Sequence, residues 1–232
     1  MRLALVGYGR MGRALASLAA TRGHEVALVV DEADNQAGRA LVPERLRGID
    51  AALEFTTPAS APTNLVRLAE AGVPTVCGTT GWQGELGRVA AVVRDRRSAL
   101  VHATNFSIGV QLFLKAAEEL ARRFAPHREY DGFVVEEHHA TKFDAPSGTA
   151  LSLQSILTKT DPTRRFPITS VRAGSIPGIH ALTYDSPHDT VALTHTARSR
   201  EGFAAGALLA AEWLPGRSGV FTFDDVLFGE NR

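Results

Sequence analysis

The sequence has a single cysteine, Cys77, among 232 residues, so no intrachain disulfide can form. A lone cysteine reads as a small buried apolar side chain rather than a reactive thiol. Neither charge is in excess: 25 Lys and Arg balance 25 Asp and Glu. That balance argues against a broad basic face for nucleic acid or an anionic membrane, while leaving room for a local patch that binds a small anion. No apolar run approaches the length needed to span a bilayer. The opening MRLALV has the look of a signal start, but GYGRMG interrupts it and no cleavage-like stretch follows, so the cytoplasm is the expected compartment. The chain also lacks H-E-x-x-H, which disfavours a zinc protease site, and G-x-S-x-G, which disfavours a serine hydrolase elbow. There is no internal repeat and no low-complexity linker.

What is present suits a globular chain. Hydrophobic residues make up 44% and charged residues 22%. At about 150 residues per domain the length allows one large domain or two small ones. The first half alternates apolar runs with helical spacing. RLALV, EVALVV, IDAALEF, VPTVCGTT and ALVHATN read as strands; RMGRALASLAATRG, PASAPTNLVRLAEAG and GELGRVAAVVRDRR read as helices stopping near glycine or basic residues. That order predicts a parallel sheet covered on both faces. The character changes near Asn105. A long amphipathic helix, Ile108 to Phe124, is followed by three strand-like segments, YDGFVVEEHHA, ITSVRAGSIPGIHALTYDS and DTVALTHTARS, with one helix from about Ser147 to Lys159 among them. GFAAGALLAAEWL reads as a last helix and GVFTFDDVLF as a final strand or extended tail. The expected fold is α/β, a Rossmann-like parallel-sheet domain plus a second, mixed α+β unit.

Gly7, Gly9 and Gly12 spell G-x-G-x-x-G between a predicted strand and a predicted helix. In that context the first glycine permits a tight turn, the second lets a pyrophosphate approach the backbone, and the third lets helix and strand pack closely. Asp31 ends the second strand, where a carboxylate binds ribose hydroxyls. Gly78, Thr79 and Thr80 follow the fourth strand, and Thr104, Asn105 and Phe106 the fifth. In an open parallel sheet the ligand crevice lies at these carboxyl ends.

The stretch from Val134 to Ala150, VVEEHHATKFDAPSGTA, concentrates titratable groups. If it is extended, Glu136 and His138 share one face and Glu137 and His139 the other. The two histidines can then meet one small ligand only if the strand ends between them. Pro146 breaks the chain before Ser147, a good N-cap, so Gly148, Thr149 and Ala150 begin a helix whose N-terminus suits an anion. Lys142 adds a point charge and a possible proton. A metal site is the rival reading, since His138, His139, Glu136 and Glu137 are all ligand types. The strand alternation spreads them over two faces and no cysteine partner exists, so no metal is expected.

EEHHATKFDAPSGTA closely resembles the signature of the 4-hydroxy-tetrahydrodipicolinate reductase family, formerly called dihydrodipicolinate reductase, with a pattern of roughly E-x-H-H-x-x-K-x-D-x-P-S-G-T-A. The resemblance continues in GYGRMG, VCGTTGW, ATNFSIGV, RAGSIPGIH and HTARSREGFAAGA, and so covers nearly the whole chain; many members have one more residue in the glycine loop. It implies NAD(P)H-dependent reduction of 4-hydroxy-tetrahydrodipicolinate in lysine biosynthesis through diaminopimelate. It implies a dinucleotide-binding domain over residues 1–107 completed by 201–232, a substrate-binding and oligomerisation domain over 108–200, and a homotetramer with no nucleic-acid or membrane partner. By the same resemblance His138 and Lys142 match proton-transfer residues, and either could deliver the proton. His139, Gly148 and Thr149 match positions that bind the substrate's two carboxylates, with Ser147 counted beside them as substrate-binding. Gly7, Tyr8, Gly9, Arg10, Met11, Gly12, Asp31, Gly78, Thr79, Thr80, Thr104, Asn105 and Phe106 match cofactor contacts. A different Rossmann reductase, or a dinucleotide sensor without turnover, would leave the Lys142 to Thr149 segment without a task.

Many relatives follow the acidic residue at position 31 with a basic one. Here Asp31 is followed by Glu32 and then by Asp34. Asp31 suits the free ribose hydroxyls of NADH, whereas the 2′-phosphate of NADPH would meet like charge. NADH is therefore the expected preference, with NADPH possible if Arg10, Arg13 or Arg39 turns toward the phosphate.

Overall fold

The computed structural model describes residues 1–199 and 201–229. The chain forms two compact units, one from residues 1–107 with the chain beyond 199, the other from residues 108–199. In chain order the first unit contains β1 (Arg2–Val6), α1 (Arg10–Thr21), β2 (Glu25–Val30), α2 (Pro43–Leu46), β3 (Ala51–Glu54), α3 (Ala61–Glu70), β4 (Thr75–Cys77), α4 (Leu86–Asp95) and β5 (Ala99–His102). The second contains α5 (Ile108–Phe124), β6 (Asp131–His138), α6 (Gly148–Thr160), β7 (Ile168–Arg172), β8 (Ile179–Asp185) and β9 (Thr190–Thr196). The chain then returns to the first unit with α7 (Glu201–Trp213), β10 (Gly219–Thr222) and α8 (Phe223–Phe228). No helix among the described residues is long and apolar enough to cross a membrane.

The six strands of the first unit are all parallel, in the order β10-β5-β4-β3-β1-β2. Strands buried on both faces carry unbroken runs of small and branched apolar residues, and β3 and β4 are buried at every position. α1 buries Gly12, Leu15 and Ala19, and α3 buries Leu65, Leu68 and Ala69, the 3–4 spacing of a one-sided helix. α7 is apolar nearly all round and packs on α1, β3 and β4. Its closest approach is at Gly206, where a Cβ would lie 1.8 Å from the Phe106 carbonyl oxygen.

The second unit holds a four-stranded mixed sheet, β7-β6-β8-β9, with β6 parallel to β7 and antiparallel to β8. Residues alternate along β6 and β8 between buried and half-buried. Val134, Leu182 and Tyr184 face Phe113, Ala117 and Ala121 of α5 and Leu153 and Leu157 of α6. Phe133, Val135, Ala181, Thr183 and Val171 occupy the other sheet face, half-buried or exposed in the single chain.

Two expectations from the sequence need correction. The segment ITSVRAGSIPGIHALTYDS is two strands, not one. Gly174 at φ 49, Pro177 without an N–H and Gly178 at φ 141 stop the ladder after Arg172, and the chain re-enters on the other side of β6. The C-terminal segment is a short strand followed by a helix. Thr222 and Asp225 form a reciprocal cap: Asp225 Oδ2 accepts from the Thr222 amide at 2.7 Å and Thr222 Oγ1 accepts from the Asp225 amide at 3.3 Å.

The glycine contacts yield a paired prediction. Gly206→Ala forces the new methyl against the Phe106 carbonyl and the Phe223 ring, so it destabilises the fold by about 1–3 kcal/mol or more. Gly87→Ala, exposed in α4 with no atom within 4 Å of the added Cβ, stabilises it by about 0.5–1 kcal/mol. Urea unfolding of both variants checks the opposite signs; midpoints that move together would refute the packing argument.

Candidate active site

The first unit gathers its predicted residues at the carboxyl edge of the parallel sheet. Gly7 leaves β1 at φ 94, and a Cβ there would lie 2.1 Å from the Phe55 carbonyl oxygen. A Cβ at Gly12 would lie 2.2 Å from the Gly7 carbonyl oxygen. These two glycines are dictated by packing within the protein. Gly9 differs: nothing lies within 4 Å of its virtual Cβ, and it caps α1 with no side-chain hydrogen bond. An open glycine at an uncapped helix N-terminus suits a phosphate group. Asp31 follows β2, and its Oδ1 accepts from the Tyr8 amide at 3.3 Å and the Glu32 amide at 2.9 Å. The carboxylate is thereby tied to the glycine loop while staying exposed. The residues present therefore fit a dinucleotide.

Not every predicted residue offers its side chain. Thr79 is buried, and its hydroxyl accepts from the Thr56 amide at 2.7 Å, so it braces the loop after β3. Phe106 is 2% exposed, its ring set between Phe55 and Phe223 at 6.2 and 4.9 Å. Asn105 Oδ1 accepts from the Ser107 amide at 2.8 Å. Thr80 and Thr104 are exposed, as is Arg10, while Tyr8 and Met11 are partly buried. A Cβ on Gly78 would strike the Phe55 ring at 2.0 Å. Sequence reading did not find Glu54, fully buried at the end of β3, where Asn64 Nδ2 donates to Oε1 and the Cys77 thiol to Oε2, both at 3.2 Å. Burial first, and then the Glu54 charge, push the Cys77 thiol well up. That keeps it protonated and inert, as its lone occurrence suggests.

In the second unit β6 ends at His138. The strand therefore stops between the two histidines, the one arrangement that frees them from strict alternation. His138 remains on the buried face, and Glu136, two residues back, presents Oε2 to its Nδ1. Burial lowers the His138 pKa, partly countered by the Glu136 charge. His139 turns away, and its Nδ1 lies 2.8 Å from Thr141 Oγ1. A tight turn from the Lys142 amide to the His139 carbonyl, 3.1 Å, sets the loop that follows. There Lys142 Nζ donates to Asp144 Oδ1 at 2.7 Å, and that hydrogen bond holds the Asp144 carboxyl below its usual range.

Ser147 caps α6 as predicted, accepting from the Ala150 amide at 3.3 Å. Its hydroxyl also meets His180 Nε2 at 3.0 Å, so that hydroxyl is engaged on both sides. Gly148 is exposed, with nothing within 4 Å of a virtual Cβ, which leaves the first turn of α6 open to a ligand. Thr149 follows it, partly buried. His180 is 5% exposed; burial and then the His138 charge depress its pKa to about 4, so it is neutral at pH 7.

Arg172 and His180 were not singled out as site residues from the sequence. They stand at the ends of RAGSIPGIH, so the signal was present as a motif without an assigned task. Glu136, His138 and His180 bring one ligand atom each within 4.8 Å, a spacing that could hold a divalent ion. The Arg172 guanidinium already lies 2.6 Å from Glu136 Oε1 and supplies the positive charge there. We read the trio as a carboxylate–imidazole pair, Glu136 against His138, with the His180 ring packed edge-on beside it, rather than as a metal centre.

Comparison with known proteins identifies the family. The family model for the dihydrodipicolinate reductase N-terminus matches residues 1–106, and that for the C-terminus matches residues 109–227. The chain is 36% identical to the 4-hydroxy-tetrahydrodipicolinate reductase of Christiangramia forsetii, covering 98% of each. It is 35% identical to that of Natronomonas pharaonis, covering 98% of this chain and 100% of the relative. A dipicolinate-bound dihydrodipicolinate reductase from Paenisporosarcina sp. TG-14 shares the fold with a TM-score of 0.83 at 21% identity, covering 98% of this chain and 99% of that one. With both halves matched and the full length shared, the chain belongs to the 4-hydroxy-tetrahydrodipicolinate (dihydrodipicolinate) reductase family of Rossmann-type NAD(P)-dependent oxidoreductases.

Proposed function

We propose that this enzyme reduces 4-hydroxy-tetrahydrodipicolinate to tetrahydrodipicolinate at the expense of NAD(P)H, in the diaminopimelate route to lysine. The observation that carries this reading is the segment from Glu136 to Ala150. It joins a buried imidazole, a lysine and an open helix N-terminus in fewer than twenty residues of a chain that also carries an open Gly9 turn. A small cyclic dicarboxylate needs cations and N–H donors. The first turn of α6 at Gly148 and Thr149, with His139 nearby in the chain, supplies donors for its carboxylates. When bound, the nicotinamide supplies the hydride. Reduction of the substrate's conjugated C=C–C=N system drives negative charge toward the ring nitrogen, which Lys142 stabilises as a cation. A proton must then reach the ring, from Lys142 or through His138.

The assay is NAD(P)H oxidation in the presence of freshly made product of dihydrodipicolinate synthase. The wild-type enzyme turns over, and Lys142→Ala lowers kcat by about 10²-fold or more with NADH affinity nearly unchanged. Wild-type enzyme that is folded and binds NADH but shows no oxidation would sink the reading; near-normal kcat in the variant would remove Lys142 from the chemistry.

We also propose that NADH is preferred over NADPH. Asp31, Glu32 and Asp34 are all exposed at the end of β2. Two of the arginines that could offset them already make backbone contacts, Arg13 Nε to the Tyr8 carbonyl and Arg39 Nε to the Asp34 carbonyl, each at 3.3 Å. Like charges about 4 Å apart repel by about 4 kcal/mol at a surface-like dielectric before salt screening. Screening and side-chain movement reduce this to about 1–2 kcal/mol. The expected preference is about ten-fold in kcat/KM, because about 1.4 kcal/mol is a factor of ten. Measuring both cofactors at two salt concentrations checks it: equal values would shift attention to Arg10, whose alanine variant would then lose NADPH activity selectively.

The half-exposed face of the second sheet supports a homotetrameric assembly. Phe133, Val135 and Val171 would lose water there on association. Light scattering is expected to give four times the 24.8 kDa of one chain. A monomer mass that persists at micromolar concentration would reject assembly through this face.

A further inference from the structure

Side chains from three strands converge on His138. Glu136, on the same face of β6, is fully buried and presents Oε2 to Nδ1 of His138. Arg172, paired with His138 across the β6–β7 ladder, donates from Nη2 to Glu136 Oε1 at 2.6 Å. The His180 ring, from β8, meets the His138 ring edge-on at 5.1 Å between centroids. Arg172 has a second task. The same Nη2 donates to the backbone carbonyl of Asp144 at 2.6 Å, and Asp144 Oδ1 accepts from Lys142 Nζ at 2.7 Å. One guanidinium thus joins the carboxylate behind His138 to the loop that carries Lys142.

Hydrogen-bond chemistry fixes the direction of each contact. A guanidinium only donates, so Glu136 Oε1 must accept. Burial pushes Glu136 upward, but the hydrogen bond from Arg172, aided by Ser170 and the His138 charge, outweighs it and holds the carboxyl at about 2. Glu136 is therefore ionised at working pH, and Oε2 can only accept. His138 must then carry its proton on Nδ1. Its Nε2 faces Gly178, where a Cβ would lie 3.2 Å away, so the absent side chain leaves that nitrogen room.

We propose that Glu136 and Arg172 are positioning residues for the reduction: Glu136 holds His138 with Nδ1–H inward and Nε2 outward, and Arg172 locks Glu136 and the Lys142 loop to one another. The inference rests on the reading of His138 and Lys142 as the proton-transfer pair. In this arrangement neutral His138 offers a lone pair at Nε2 and gains a proton there, and the Glu136 charge stabilises the imidazolium that results. Lys142 or solvent is then the source of that proton, and His138 passes it on only after gaining it.

Glu136→Gln tests the tautomer. Arg172 still requires an acceptor, so it takes the amide oxygen, and the amide nitrogen faces His138 as a donor. The ring must then expose a lone pair at Nδ1 and carry its proton on Nε2, the wrong form. The groups facing His138 are Glu136 on its own strand, Arg172 on β7, His180 on β8 and Lys142 on the following loop, with His195 on β9 beyond His180. The substitution alters only the first. The expected result is a kcat lower by about 10²-fold, a substrate KM within about threefold of wild type, and a His138-dependent limb of the kcat–pH profile moved to lower pH. NADH binding, followed by fluorescence, is unchanged. Arg172→Ala is the second variant: its kcat falls, and added guanidinium ion restores part of it, which a general loss of packing would not allow. If wild type is active and Glu136→Gln keeps its kcat and pH profile, the tautomer role is overturned. If folded Arg172→Ala keeps its kcat, or loses it without rescue by guanidinium, the role of Arg172 is overturned. Inactive wild type would instead sink the reading of the substrate.

Discussion

A carboxylate removed from water must be met by donors, and in the second unit that requirement organises everything around Glu136. Leaving such a charge unpaired by deleting its partner costs about 3–5 kcal/mol, so the fold has to bring Arg172 and His138 to it. The parallel pairing of β6 with β7 does this by setting Arg172 beside His138. The same guanidinium reaches the Asp144 carbonyl, so satisfying one buried charge also anchors the loop that holds Lys142. Structure and chemistry here share the same few atoms.

The first unit solves its equivalent problem differently. Glu54 is as deeply buried as Glu136, yet the groups that donate to it are neutral: the Thr56 hydroxyl, the Asn64 amide and the Cys77 thiol. It ties the ends of β3 and β4 together beneath the edge where the glycine turn lies. Gly7 and Gly78 press on Phe55 just above, and Gly206 presses on Phe106. The crevice edge is therefore built by backbone contacts too close for any side chain, with Gly9 the position in the glycine turn left open toward a ligand.

Elements with strong periodicity were legible in the sequence. β1, β2 and α5 begin and end where the apolar pattern says, because continuous apolar strand runs and one-sided helices each leave a local imprint. Breaks within a β-rich stretch were harder. AGSIPG separates two strands through two glycines of positive φ, and whether such a break is a bulge or a reversal depends on which strand the chain meets next. The helix after Thr222 was missed because T-F-D-D is a weak variant of a capping box. Within the candidate site, chemistry-bearing residue types could be picked out by position, but their tasks could not. Ser147 is expected among the substrate contacts and Thr79 among the cofactor contacts, and the structure shows that both hydroxyls brace neighbouring residues.

By itself the sequence determined the class of fold, the glycine turn, the cap at Ser147 and the family, because each is written in neighbours a few residues apart. Only the tertiary structure decided that β6 stops between His138 and His139, that Glu136 turns toward His138, and that Arg172 and His180, 34 and 42 residues beyond His138, close around it. Those contacts depend on strand order and register. Pairing is a property of two segments at once, and no single stretch of chain carries it.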